Sequence, residues 1–215
     1  AEFFEELKNR IAGDTKPGLL MIKGDIRFTQ QNLDKIKKYI KYGLTHLDHY
    51  ICVKSNHAEI FVLIENKRNV NLIKLLNEIL ERTVSEVREN IAFSYCDIDD
   101  IDKLNKAIQK VQDNINWSLS IKKPTVIHEE LINSIKCDPF IYPREIEQAI
   151  LNKINNKRIK EVENDLKDFI RYLNEKIYSY SDIREALVTL TVSVLYAIRR
   201  ANYGIYENIE QLDLL

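Results

Sequence analysis

Apolar positions fall into two regimes along the chain. Before residue 118, short strand-like apolar runs alternate with segments in which apolar residues recur every three or four positions; beyond Phe140 only the helical period remains. Leu19 to Ile22 is a compact apolar run suited to a central strand, preceded by the turn residues Gly13-Asp14 and Pro17-Gly18 and by an apolar helical stripe of Phe3, Phe4, Leu7 and Ile11. From Asn32, the positions Leu33, Ile36, Ile40, Leu44 and Leu47 return at helical spacing, with Asp34, Lys35, Lys37, Lys38 and Lys41 on the other faces, which predicts an amphipathic helix lying on a sheet. Tyr50 to Val53 and Ile60 to Ile64 are rich in β-branched and aromatic residues and flank a polar stretch with Ser55 and Asn56, the pattern of a hairpin. Leu72, Leu75, Leu76, Ile79, Leu80 and Val84 predict a second helix and Ile91 to Tyr95 a fourth strand. Leu104, Ile108, Val111 and Ile115 predict a third helix, with Asp99 and Asp100 as capping candidates.

The resulting order, β-α-β-β-α-β-α, is that of the split β-α-β, ferredoxin-like arrangement: an α+β domain in which two helices cover one face of one sheet. Residues 1–118 are expected to form this domain. Residues 119–138 read as a connector with Pro124, a short strand at Thr125 to Ile127 and a helical turn around Leu131 to Ile135. Residues 139–215 read as an all-helical segment. Pro143 has no N–H and a preset φ, so it suits the first position of a helix, while Tyr142 before it is pushed toward an extended conformation. Glu145 and Glu147 complement the helix dipole in the first turn, and Ile146, Ala149, Ile150 and Ile154 mark the apolar face. A second helix runs through Val162, Leu166, Phe169, Ile170 and Leu173, and a third starts from a Ser181 cap. That last helix carries two apolar stripes, one of Ile183, Leu187, Leu190, Val194 and Ala201 and another of Val188, Val192, Leu195 and Ile198. Packing of three helices leaves the second stripe for a partner, either a second copy or the first domain, and Tyr142 and Pro143 are the accompanying interdomain or dimer candidates.

Composition narrows the class. The chain has 215 residues, 45% hydrophobic and 30% charged, with 5 Gly and 4 Pro, the balance of a helix-rich globular protein able to bury roughly 70% of its unfolded surface. Lys and Arg number 32 against 33 Asp and Glu, and the net charge of -1 supplies no field that would draw nucleic acid or an anionic membrane. Cys52, Cys96 and Cys137 are odd in number and far apart, which suggests neither a disulfide framework nor a zinc site and points to a reducing compartment. The uncharged run Ala186 to Ile198 is too short to cross a bilayer. Ala1 is not an initiator methionine and no signal-peptide pattern follows it, so the chain reads as a processed or excised piece of something longer.

Local clusters of reactive side chains have ordinary explanations. His46, Asp48 and His49 straddle a helix end, where imidazole is favoured electrostatically, and no further metal ligand is near in sequence. His57 falls in the hairpin turn and His128 in the connector, without a nucleophile placed beside either. Asp97, Asp99, Asp100 and Asp102 lack the glycine and the closing glutamate of a calcium loop and read as a solvated loop and helix cap. No catalytic, metal or cofactor-binding residue is assigned.

The hairpin from Tyr50 to Ile64 occupies the place where nucleotide cyclases of the GGDEF type carry their signature, in a similar β-α-β-β fold. Asn56-His57-Ala58-Glu59 stands where two glycines, an aspartate and a glutamate belong, leaving Glu59, and Asp25 after the first strand, as the carboxylates in place. Without the glycines that let a backbone approach phosphates, and with the metal-binding carboxylates depleted, cyclase chemistry is not expected. This degenerate GGDEF-like domain is followed by Ile91-Ala92-Phe93-Ser94-Tyr95 and a helix, then Val126-Ile127, then Phe140-Ile141-Tyr142-Pro143-Arg144-Glu145-Ile146-Glu147. The order resembles the regulatory region that precedes the DNA-binding part of AraC/XylS-type transcriptional regulators of low-GC bacteria, over most of the chain. Ser94-Tyr95-Cys96 departs from the glycine-rich strand ending common in such domains. The resemblance implies a bacterial cytoplasmic protein without enzymatic turnover or cofactor. It also implies a signal-sensing or dimerisation role, a homodimer, and contact with DNA only through a helix-turn-helix part absent from this segment. An upstream receiver domain, or a membrane-spanning sensor tethering the protein, is compatible with it; the small-molecule ligand and the regulated genes are not specified. Two other classes stand beside this one: a catalytically degenerate cyclase relative that binds a small molecule, and a ferredoxin-like nucleic-acid-binding module. The last would need basic-aromatic strands, and Ile91 to Tyr95 offers Phe93 and Tyr95 without Lys or Arg.

Overall fold

The computed structural model describes residues 16–24, 27–54, 58–66, 70–87, 89–98, 103–121 and 123–201. The stripe of Phe3, Phe4, Leu7 and Ile11, the Gly13-Asp14 turn, and the capping candidates Asp99 and Asp100 lie outside these residues. β1 (Lys16–Gly24) is the central strand, because Leu19 to Ile22 are apolar on both of its faces and all four are buried. It lies between β3 (Glu59–Asn66) and β4 (Ile91–Asp97), antiparallel to both. β2 (Asp48–Val53) is antiparallel to the far side of β3, and β5 (Val126–Ile127) runs parallel to β4, so the sheet is mixed with the order β2-β3-β1-β4-β5. The chain is thus α+β, with β2 parallel to β1 across β3, and β4 parallel to β3 across β1.

Those parallel relationships require crossovers, and two amphipathic helices supply them. α1 (Gln30–Gly43) begins where the Thr29 hydroxyl accepts from the Asn32 N–H at 3.2 Å, and α2 (Leu72–Val87) joins β3 to β4. Ile36, Ile40, Leu76 and Leu80 from these helices meet Leu20, Ile22, Val62 and Phe93 on one face of the sheet. The opposite face is also covered, unlike in the two-layer expectation: α3 (Leu104–Asn114) and the 3₁₀ turn Ile115–Leu119 place Leu104, Ala107, Val111 and Ile115 against Leu19, Met21, Leu63 and Cys96. A strand that is apolar on both faces must be buried on both, so a third layer is required.

Two close approaches depend on glycine. The Tyr95 ring lies over Gly18 on the neighbouring strand, where a Cβ would fall 2.2 Å from the Tyr95 Oη, and that hydroxyl donates to Asp97 Oδ1 at 2.7 Å. At the end of α1, a Cβ on Gly43 would fall 2.4 Å from Ile79 Cγ1 of α2.

The chain divides into two units, residues 1–135 and 136–215. The expected connector 119–138 is therefore corrected, since most of it is integral to the first unit. Val126 and Ile127 are buried in β5, and Asn77 of α2 holds the segment by accepting from the Val126 N–H at 2.8 Å and the Thr125 hydroxyl at 3.2 Å. α4 (Glu129–Ser134) then closes the unit. Asp138 belongs to the second unit: its N–H donates to the Ile177 carbonyl at 2.7 Å, and its carboxylate accepts from the Ile177 N–H at 3.2 Å.

The second unit contains α5 (Arg144–Asn155), α6 (Ile159–Glu175) and α7 (Tyr180–Ala201), with α5 packed against both others. Ile150, Ile154, Val162, Phe169, Ile183 and Leu190 form the centre of its core. Lys153 pairs with Asp165 at 2.7 Å across the α5–α6 turn. Two details depart from the sequence reading. Leu166 and Ile170 are 40% and 47% exposed, because the inward arc of α6 runs through Val162, Phe169 and Leu173. The start of α7 is held by Ser179 and not Ser181: the Ser179 hydroxyl accepts from the Asp182 N–H at 3.1 Å and donates to the Asp182 carboxylate at 2.6 Å. The sequence Ser-Tyr-Ser-Asp offers two serine hydroxyls, and the one three residues before the acid is in reach of both its N–H and its carboxylate. No helix among the described residues is long and apolar enough to cross a membrane.

Candidate functional site

The region corresponding to a cyclase site is only partly described: Asp25, Asn56 and His57 lie outside the described residues. Glu59, the carboxylate retained from the signature, is paired with Lys54 across the hairpin at 2.9 Å. His46 is exposed after α1, and His49 sits in β2 with its Nδ1 2.9 Å from the Leu47 carbonyl oxygen. His128 precedes α4, half-buried, and Asp97 accepts from Tyr95, while Asp99, Asp100 and Asp102 lie outside the described residues. Among the described residues, no three or more His, Cys, Asp or Glu side chains gather into a ligand set. Cys52, Cys96 and Cys137 form no disulfide with one another.

A built constellation does occur at the opening of the helical unit. Pro143 is the N-cap of α5 and Arg144 its first residue, one position later than the sequence suggests, and the Arg144 N–H donates to the Tyr142 carbonyl at 2.9 Å, closing a tight turn about Pro143. Phe140 meets Tyr178 edge to face, ring centroids 5.0 Å apart, and Tyr142 meets Phe169 in the same manner at 6.0 Å. Tyr172 stacks on Tyr178 and donates its hydroxyl to the Ile141 carbonyl at 2.6 Å. Segment 138–142 is thereby strapped to the α6–α7 connection. Glu147 is buried and stands beside the enclosed Tyr142 hydroxyl without hydrogen-bond geometry to it. Burial first, and the Glu147 charge second, push the Tyr142 phenol up to about 12. The spacing Tyr-Pro-x-Glu-x-Glu has a local meaning here: both glutamates fall in the first turn of the helix, where Glu145 faces solvent and Glu147, five residues beyond Tyr142, turns inward to it.

Away from this strap, α7 shows two opposite faces. Ile183, Ala186, Leu190 and Ala197 are buried and Leu187 and Val194 half-buried, as the first stripe requires, while the Ala201 side chain lies outside the described set. Val188, Val192 and Leu195 are 55%, 61% and 52% exposed on the far side. Ile198 does not join them. It is half-buried against the inner cluster, since it lies closer around the helix to Val194 and Leu187 than to Val192, and its place in the second stripe is corrected accordingly. Sequence reasoning missed Tyr196, 69% exposed, which follows Val192 by four residues and so extends the same face. Tyr142 and Pro143 are half-buried in the strap, with Tyr142 packed against the inner cluster. No docking contact is therefore needed to explain Tyr142. The candidate site is the outer face of α7: a row of aliphatic side chains with an aromatic beside it, fitted by its chemistry to another apolar helix or groove.

No family model matches the chain, and no curated protein matches it in sequence.

Proposed function

We propose that this chain is a non-catalytic regulatory region of an AraC/XylS-type bacterial transcription regulator, working in the cytoplasm. In this reading the helical unit joins two copies so that DNA-binding units outside the segment can engage DNA as a pair. The first unit is read as a ferredoxin-like, degenerate GGDEF-like domain, a reading supported by its antiparallel β2-β3-β1-β4 neighbours, the α1 and α2 crossovers and the pairing of Glu59 with Lys54. The Phe140 to Glu147 strap that opens the helical unit supports the family, and the exposed apolar face of α7 carries the assignment of self-association.

Sedimentation with circular dichroism tests it. The chain should sediment as a dimer, and Leu195→Glu should be monomeric with helicity kept, because a charge at a half-exposed position leaves the α7 core face intact. A monomeric wild type at high concentration, or loss of helicity in Leu195→Glu, overturns the assignment. Calorimetry with GTP and magnesium should give no heat; low-micromolar binding would favour the ligand-binding cyclase relative.

A further inference from the structure

The outer face of α7 has a direction written into its charges. Glu185, Val188, Val192, Leu195 and Arg199 follow one another in steps of three and four, the spacing that holds side chains on a single seam. Glu185 and Arg199 are exposed, and among the described residues neither forms an ion pair within the chain. They stand at equal sequence distance on either side of Val192, with opposite sign.

We infer that α7 pairs antiparallel with α7 of a second copy, about a two-fold axis near Val192. This rests on the self-association proposed above and adds its geometry. A two-fold interface uses the same patch on both subunits, so the patch must be complementary to itself. In the antiparallel arrangement Glu185 of each copy comes opposite Arg199 of the other, and Val188 comes opposite the level of Leu195 and Tyr196. A parallel pair would set Glu185 against Glu185 and Arg199 against Arg199, and like charges brought together suppress association. The four exposed apolar side chains offer roughly 400 Å² per copy, about half of what one partner contributes to a standard interface. The pairing is accordingly weak, and the charges at its two ends choose its direction.

Cross-linking of the full chain tests the geometry, with Cys52 and Cys137 replaced by Ser and Cys96 by Ala. Val192→Cys should give a disulfide-linked dimer on mild oxidation. Val188→Cys should not, because four residues from the axis places the two sulfurs' backbones about 12 Å apart along the helices at ~1.5 Å per residue, beyond the roughly 7 Å limit for bridging. Arg199→Glu should weaken dimerisation about tenfold, and adding Glu185→Arg should restore it, as expected where opposite charges face each other. Circular dichroism verifies that each variant is folded. A dimer in which both cysteine variants cross-link is parallel and overturns the inference while leaving self-association standing. A dimer indifferent to the charge exchange, in which neither cysteine cross-links, places the interface elsewhere and also overturns it. A wild type that stays monomeric removes the self-association reading itself.

Discussion

Replacing Gly18 by alanine places one methyl group where the Tyr95 ring now lies. The new Cβ would sit 2.2 Å from Oη, 2.5 Å from Cε2 and 2.6 Å from Cζ, with Tyr95 itself only 4% exposed. These separations are far inside the roughly 3.5 Å at which carbon atoms rest, so the ring must leave its seat on β1. Overpacking of this kind costs about 1–3 kcal/mol. The displaced hydroxyl also gives up its bond to Asp97, worth about 1 kcal/mol net or somewhat more with a charged acceptor. A loss of about 2–4 kcal/mol from the first unit is the sum of these effects. Trp117, the one tryptophan of the chain, lies in the 3₁₀ turn after α3, so its fluorescence during urea unfolding follows this unit separately from the helical one. The control is Tyr95→Ala, which opens the space. In that background Gly18→Ala should cost less than about 0.5 kcal/mol or stabilise slightly, since alanine loses less backbone freedom in a strand than glycine. A cost below about 0.5 kcal/mol with Tyr95 present, or the same cost in both backgrounds, would refute the argument, because the double-mutant cycle would show no coupling.

Asn77→Leu removes the acceptor for Val126 and Thr125 and should destabilise the first unit by about 1–3 kcal/mol; limited proteolysis should then cut within 119–135, whereas the wild type should be nicked first at Lys136, where the two units meet. An unchanged cleavage map would remove Asn77 from that role. The Tyr142 and Tyr178 phenols are both raised to about 12, by burial first and then by Glu147 for Tyr142 and by Tyr172 for Tyr178. Because the folded state holds these protons more tightly than the unfolded chain, whose phenols titrate near 10.0, this stability is fully present below pH 10.0 and falls away as pH rises toward 12. Tyr142→Phe should therefore flatten the alkaline decline in helicity followed by circular dichroism; a decline as steep as in wild type would contradict the linkage.

Elements with several periods of apolar residues were legible in the sequence. Leu33, Ile36 and Ile40 define α1, and the strand runs define β1, β3 and β4, because each repeat reports the same buried face several times. The short strand expected at Thr125 to Ile127 is present as β5, but its place in the sheet was not legible: with two residues it has no period of its own, and a side chain far away in α2, Asn77, accepts from its Val126 N–H. The cover on the second sheet face was not legible either, since apolar spacing in α3 tells that a face is buried but not which side of the sheet receives it. At the candidate site the exposed trio Val188, Val192 and Leu195 could be read directly, whereas Ile198 and Tyr196 exchanged places: at about 100° per residue, two steps of three carry Ile198 roughly 120° away from Val192, while the step of four leaves Tyr196 about 40° from it.

The strand order also has a consequence for the chain as it is synthesised. The middle strand of the sheet is made first, and its two neighbours come from β3 and β4, far later in the sequence. Until both have emerged, Leu19 to Ile22 is a bare apolar β-forming segment with neither edge paired, the kind of species that aggregates before it can fold. Its immediate neighbours answer that hazard: Lys16 and Pro17 precede it and Lys23 and Gly24 follow it, charges and strand breakers set at both ends of the run. These residues guard a nascent segment whose final partners have yet to leave the ribosome, and the price of losing them would appear in the yield of soluble protein before it appeared in the stability of the finished fold.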